Sequence, residues 1–235
     1  MTESRRDFLR LGLASGWAAI VAACGWDGGD VGRPVLLDIS RLNDWVGEKI
    51  LYSRRRLAPQ YDIAQRSLRL PSYFISPELP MLENPAAWRL AVGGLVRQRL
   101  ALSIDDLQAM PRTTYTVKHH CVEGWSAIAT WHGVPVSAVA ERCGVLPQAR
   151  YVRFDSFDSG YFNGWDLASA MHPQTILAYG MNDNPLPVTH GAPLRLYAPT
   201  KLGYKMTKYL VSMTFTAERP GGYWEDMGYP WFGGV

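Results

Sequence analysis

His119-His120-Cys121-Val122-Glu123-Gly124-Trp125-Ser126 closes an alternating stretch that begins at Thr114. Alternation of polar and apolar residues predicts a strand, and Gly124 beside Trp125 and Ser126 predicts a loop directly after it. A thiol at that junction is placed to face a ligand rather than to fill a core. Farther along, His190, Arg195, Lys201, Lys205 and Lys208 are interleaved with Gly191, Gly203 and Tyr204. One soft ligand plus a cationic, glycine-punctuated stretch points to a phosphorylated metal cofactor.

The beginning of the chain indicates where such chemistry happens. Ser4-Arg5-Arg6-Asp7-Phe8-Leu9-Arg10 is a basic head with twin arginines, followed by a modestly apolar run from Leu11 to Ala23. Residues 1–23 therefore read as a twin-arginine export signal, and the run is shorter than the roughly 18 apolar residues of a membrane span. Twin-arginine substrates cross already folded, which suits a protein that acquires a bulky cofactor first. Val21-Ala22-Ala23-Cys24-Gly25 resembles a lipoprotein processing box. Two outcomes stay open there: lipidation of Cys24, or simple cleavage near Ala23. Either way the expected location is the periplasm or another extracytoplasmic space.

With 24 basic and 21 acidic residues the formal charge is +3. Removing Arg5, Arg6, Arg10, Glu3 and Asp7 with the signal leaves 21 against 19, or +2. That balance argues against a nucleic-acid partner, whose binding domain carries a dense basic face. The remaining length of about 210 residues suits one sizeable domain or two small ones. No internal repeat or low-complexity linker interrupts it. Beyond Cys24 only Cys121 and Cys143 remain. An exported protein could pair them, but Cys143 ends a helical stretch, Val136 to Cys143, closed by Gly144, and reads better as a small buried apolar residue.

Trp88, Leu90 and Val92 alternate ahead of Gly93-Gly94 and predict a strand. Ser103, with Asp106 three residues on, opens a capped helix that Pro111 closes. Further strands are expected at Thr114 to His119, Tyr151 to Phe154, Thr175 to Tyr179 and Leu194 to Tyr197, and at Val211, Met213 and Phe215, which alternate. Asp166 to Met171 reads as a short helix stopped by His172-Pro173. Many short strands with few short helices make an α+β domain, and no glycine fingerprint of a dinucleotide fold follows any strand.

Five separated blocks in order then carry a family resemblance: His120 to Ser126, Trp131-His132-Gly133-Val134-Pro135, Ala170-Met171-His172-Pro173, Gly191 to Leu196, and Gly203-Tyr204-Lys205 with Lys208. Together they resemble the catalytic domain of the sulfite oxidase family of molybdopterin enzymes, and more narrowly its exported bacterial branch of methionine-sulfoxide reductases. The likeness covers about residues 70 to 217. It implies a sulfite-oxidase-type molybdopterin-binding fold, with residues 24–69 as tether and lead-in, 70–217 as catalytic domain and 218–235 as an aromatic tail.

The resemblance implies Mo-molybdopterin as cofactor and assigns roles residue by residue. Cys121 takes the place of the thiolate that ligates molybdenum. His190 through Lys208 match the loop that holds the pterin phosphate: Arg195 with its planar fork, Lys205 as a point charge, Gly203 and Tyr204 through their backbone, and His190 and Lys208 beside them. Ser156 matches a hydroxyl residue that contacts the cofactor, and Tyr73, within Ser72 to Ser76, falls where family members meet the pterin. His120 is assigned to the cofactor, although His119 and His120 face opposite ways on a strand and only one of them can point to it. Glu123 and Tyr161 are the candidates on the substrate side. Glu123 could handle a proton if Trp125 and a dry site raise its pKa.

Where sulfite oxidases carry a basic residue after the cysteine, this chain has Glu123-Gly124-Trp125. An ionised carboxylate close to the metal opposes an oxyanion by about 4 kcal/mol at intermediate dielectric, so a small neutral sulfoxide or N-oxide is expected ahead of sulfite. With no haem or dimerisation segment recognisable, the chain is expected to act as a monomeric catalytic subunit. It would exchange electrons with a membrane b-type or periplasmic c-type cytochrome, on a small-molecule or protein sulfoxide. Sulfite oxidation by the same site, a thiol hydrolase built on Cys121, and a non-catalytic exported binding module remain as alternatives. The tail from Pro220 to Phe232, rich in rings but lacking strand or helix periodicity, is expected to fold back over the domain.

Overall fold

The computed structural model describes residues 32–235 apart from Arg54, with backbone only at 32–34, 36, 37 and 51. The export signal, Cys24 and the first part of the tether lie outside the described residues. The chain divides into two units, 1–43 and 44–235. Helix α1, Gly32–Val46, supplies the described part of the first unit and exposes Val35, Ile39 and Leu42.

The second unit is built on two sheets. One has the order β2-β1-β10-β5-β6, with β1 (Leu90–Gly94) parallel to β10 (Leu210–Thr216), and with β2 (Leu100–Leu102), β5 (Tyr151–Ser156) and β6 (Phe162–Asp166) added antiparallel. The other runs β3-β4-β7-β8, from β3 (Thr113–His120) and β4 (Ser126–Pro135) to β7 (Ile176–Met181) and β8 (Asn184–Pro185), with β9 (Arg195–Tyr197) also on β7. Helices are short: α2 (Ile104–Gln108), α3 (Val136–Cys143) and α4 (Leu167–Ala170). Mixed strands with few short helices make the α+β class expected from the sequence.

The main core joins Leu90, Val92, Phe154, Met213 and Phe215 of the first sheet to Val134, Leu177 and Leu196 of the second, with Val139 and Cys143 of α3 among them. Tyr115, Val117, Trp131, Ala178 and Tyr197 form a second cluster on the second sheet. The inner strands β4 and β7 are buried on both faces, whereas β3 keeps the alternation expected from the sequence, with Tyr115, Val117 and His119 buried.

Several local expectations hold. Ser103 Oγ accepts the Asp106 N–H at 3.1 Å while the Asp106 carboxylate accepts the Ser103 N–H at 2.9 Å, a reciprocal cap that satisfies two free donors of α2. Gly144, at φ +65°, ends α3 in the left-handed region that favours glycine. Cys121 and Cys143 are both free, so the disulfide does not form. One alternation fails: Val211 is only partly buried, while Leu210, Met213 and Phe215 are fully buried. The pairing of β10 with β5 shifts between Leu210 and Ser212, and an irregularity there breaks the period of two that the sequence suggested.

Candidate functional site

Cys121 follows the last residue of β3 and opens the turn into β4. Its N–H donates to the Trp125 carbonyl at 3.0 Å, its carbonyl accepts the Gly124 N–H at 3.2 Å, and Gly124 at φ +89° lets the chain reverse. The thiol, half-buried, faces a cavity of about 420 Å³. Tyr73, Glu123, Ser156, Tyr161, His190, Arg195, Gly203, Tyr204 and Lys208 line the same cavity, so residues more than a hundred positions apart converge on one thiol.

Two expected members are placed differently. His120 is not among the lining residues, and His119 is. Pairing of β3 with β4 puts Tyr115, Val117 and His119 on the buried side, which turns the His120 ring the other way. Lys205 was expected to offer a point charge, but its amine turns away from the cavity, donating to the Gly164 carbonyl at 2.9 Å and pairing with Glu225. Lys201 is equally committed, donating to the Phe232 carbonyl at 2.7 Å.

Two carboxylates, Glu123 and Asp158, lie in the cavity wall, and neither forms an ion pair with its cations. Arg195 is only 4 % exposed, and its guanidinium donates to the His190 carbonyl at 3.0 Å. Among the described residues no carboxylate pairs with it, and burial lowers its pKa to about 10. Lys208 contacts the Ser72 hydroxyl at 3.1 Å and the Thr189 carbonyl at 3.2 Å; burial, followed by repulsion from Arg195, brings it down to about 7. His190 falls to about 4 and His119 to about 3, each chiefly by burial and then by the charge of Arg195. Asp158 is the acid near this group, and it is engaged elsewhere. Its carboxylate accepts the N–H groups of Ile75 at 2.7 Å and Ser76 at 2.8 Å, which fixes the Tyr73–Phe74 wall.

Gly203–Lys205 is a single 3₁₀ turn with no side-chain cap at its start. A Cβ at Gly203 would lie 2.8 Å from His119 Nε2, so glycine is required for the turn to sit against β3. On the β6 side, Tyr161 and Asn163 donate to the Tyr204 carbonyl, Asn163 at 2.8 Å, and Trp165 Nε1 donates to the Lys205 carbonyl at 2.8 Å. Three alternate side chains thus hold the turn against the sheet. The Tyr161 hydroxyl is spent on this bond, and burial raises its pKa.

Glu123 differs from expectation in its surroundings. It is exposed, and its carboxylate accepts both the Trp125 indole N–H at 2.8 Å and the Cys121 thiol at 3.6 Å. Trp125 is therefore a hydrogen-bond partner rather than a dry lid, and solvent screening removes most of the repulsion that a desolvated carboxylate would exert on an anion. Burial raises the Cys121 pKa above its ordinary value of 9.0.

The chain matches the oxidoreductase molybdopterin binding domain over residues 77–224. It belongs to that family. It is 38 % identical over 233 residues to a putative protein-methionine-sulfoxide reductase subunit, YedZ1, of Azospira oryzae, covering 98 % of this chain and 88 % of the relative. It is 36 % identical over 160 residues to the uncharacterised oxidoreductase YuiH of Bacillus subtilis, covering 66 % of this chain and 80 % of the relative. A protein-methionine-sulfoxide reductase catalytic subunit, MsrP, of Xanthomonas axonopodis pv. citri is 35 % identical over 60 % of this chain, which spans 48 % of that relative. The sulfane dehydrogenase SoxCD of Paracoccus pantotrophus shares the fold, with a TM-score of 0.56, 23 % identity, and coverage of 59 % of this chain and 40 % of that one. The chain is thus an oxidoreductase of the molybdopterin-binding, sulfite-oxidase-like fold.

The residues present fit its Mo-molybdopterin cofactor. One cavity lining combines a thiol, which suits a soft metal, with a lysine and a buried guanidinium that has no carboxylate partner among the described residues, which suit a phosphate. His119 Nδ1, in the same wall, is buried without a hydrogen-bond partner. His119, Met206, Trp224 and Tyr229 line the site but were not chosen from the sequence. Only His119 carried a usable signal, its phase with Tyr115 and Val117.

Proposed function

We propose that this chain is the catalytic subunit of an exported, molybdenum-dependent sulfoxide reductase, with Cys121 as the protein ligand to the metal. One observation carries the reading: the cavity unites Cys121 with Arg195 and Lys208, which lack any carboxylate partner among the described residues. Near full-length likeness to a putative methionine-sulfoxide reductase subunit supports the substrate class.

The bound molybdenum supplies the two-electron chemistry that moves an oxygen atom. The chain's own part is to bind, shield and handle protons. Arg195 and Lys208 take the phosphate, the fork giving direction and the amine charge. The uncapped Gly203 turn and Ser156 complete the polar rim. Because burial favours the protonated thiol, Cys121 must release a proton as it becomes a ligand. Glu123, 3.6 Å away and open to solvent, would accept that proton and would relay inward from solvent the two protons that each reduction of a sulfoxide to a thioether and water consumes. Tyr161 acts through the Tyr204 carbonyl as a positioning residue. Tyr73, Trp125, Trp224 and Tyr229 give aromatic walls suited to the methyl and methylene groups of a thioether.

Export through the twin-arginine signal, ended either by lipidation at Cys24 or by cleavage near Ala23, and electron delivery by a b-type or c-type cytochrome complete the proposal. Matured protein given a reduced viologen dye as electron donor should oxidise the dye when methionine sulfoxide is added. Sulfite oxidation with no response to any sulfoxide would overturn the substrate assignment.

A further inference from the structure

The wall that contains Gly203 and Tyr204 is held from two sides, and only one belongs to the sheet. Under the C-terminal segment, Lys205 pairs with Glu225 while their side chains are 1 % and 3 % exposed. Lys201 donates to the Phe232 carbonyl at 2.7 Å, and the Tyr204 hydroxyl donates to the Pro230 carbonyl at 2.5 Å. The end of the segment is fixed in turn by Asp44, whose carboxylate accepts the Phe232 N–H at 2.7 Å and the Gly233 N–H at 3.1 Å. At Gly164 backbone lies directly on backbone, a Cβ there coming 2.6 Å from the Gly221 carbonyl oxygen, and at Gly233 a Cβ would come 2.6 Å from the Tyr204 hydroxyl. The same segment returns Trp224 and Tyr229 to the cavity lining.

A buried ion pair is a poor device for stability alone, because desolvation offsets most of the attraction and an apolar pair of similar volume does as well. Glu225 makes the case sharper, since its Oε2 is buried with no partner. What the pair does provide is a fixed geometry between the tail and the cavity wall. We propose that Glu225 is a positioning residue for the cofactor, holding the Gly203–Tyr204 wall through Lys205 so that the C-terminal segment works as a clasp retaining molybdopterin. This rests on the cofactor fit and is independent of the substrate.

Release is the quantity to measure. Cofactor-loaded wild type, Glu225→Gln and Asp44→Asn would be dialysed, and the molybdenum and pterin fluorescence retained would be followed over time alongside far-UV circular dichroism. Glu225→Gln should release cofactor about tenfold faster, the scale of a lost charge-assisted hydrogen bond. Asp44→Asn should show a smaller acceleration, with both spectra unchanged. Leu107→Ala, which opens the core away from the clasp, should lower the melting temperature and leave release at the wild-type rate. Wild-type release from both clasp variants, or equal acceleration in Leu107→Ala, would overturn the proposal. If Glu225→Gln does not fold, Asp44→Asn decides alone.

Discussion

Arg195 lies over the indole of Trp131, its guanidinium carbon 5.0 Å from the ring centroid. That ring face and the His190 carbonyl offer partial compensation for a buried cation, and an anionic ligand would supply the rest. Arg195→Met should therefore leave a folded protein whose molybdenum and pterin content falls to roughly a tenth or less, and Arg195→Lys should lie between, because a lysine keeps the charge and loses the fork. Metal analysis of the purified variants gives the answer, and undiminished content in Arg195→Met would remove the guanidinium from the site.

The two thiols should separate cleanly on alkylation of the metal-free protein. Cys121 is half-buried with a raised pKa, while Cys143 is enclosed by the core and donates to the Ala140 carbonyl at 3.3 Å. Of these two, iodoacetamide should label only Cys121, slowly near neutrality and faster as the pH climbs toward and past 9, because only the thiolate reacts. Peptide mapping by mass spectrometry reads this directly. Rapid labelling at pH 7 would instead suit a thiol nucleophile and revive the hydrolase alternative.

Lys201 ties stability to pH. It is fully buried, and burial lowers its pKa from 10.5 to about 7. Below that value the lysine is charged in both states and its burial cost is fully present. Between about 7 and 10.5 the unfolded chain binds more protons than the folded one, so stability rises with pH across that window. Thermal unfolding of the metal-free protein should show this slope, reduced in Lys201→Met. A slope identical in the variant would assign the effect elsewhere.

Glu123→Gln should retain its metal and keep the Trp125 contact, yet lose the carboxylate that relays protons from solvent to the cavity. Steady-state assays with a viologen donor should show turnover lowered by roughly tenfold, at the weak end of general-base effects because water can substitute at an exposed position. Loss of metal without loss of turnover per metal would show that the carboxylate supports the ligand rather than the proton.

How much of this was legible beforehand depended on range. The strand and turn around Cys121, the Ser103 cap and the α3 stop at Gly144 are written in residues a few positions apart, and they fold as read. Arg195, His190 and Lys208 were grouped with Cys121, whose cavity they line, because the family resemblance carried long-range information that patterning lacks. The same resemblance also assigned Lys205, whose amine is instead turned to Glu225, 20 residues on, a pairing that nothing in the local sequence marks. His119 against His120 was a question of facing, decided by the pairing of β3 with β4. Val211 was misread because a register shift is invisible in a hydrophobic pattern.

Molybdenum per chain, measured in wild type and in Cys121→Ser after maturation in a molybdenum-replete host with the signal intact, bears most directly on the assignment. The account predicts about one metal per chain in wild type and near zero in the variant, with Cys143→Ala loaded like wild type. Full occupancy in Cys121→Ser, or a properly matured wild type with neither metal nor pterin, would contradict it.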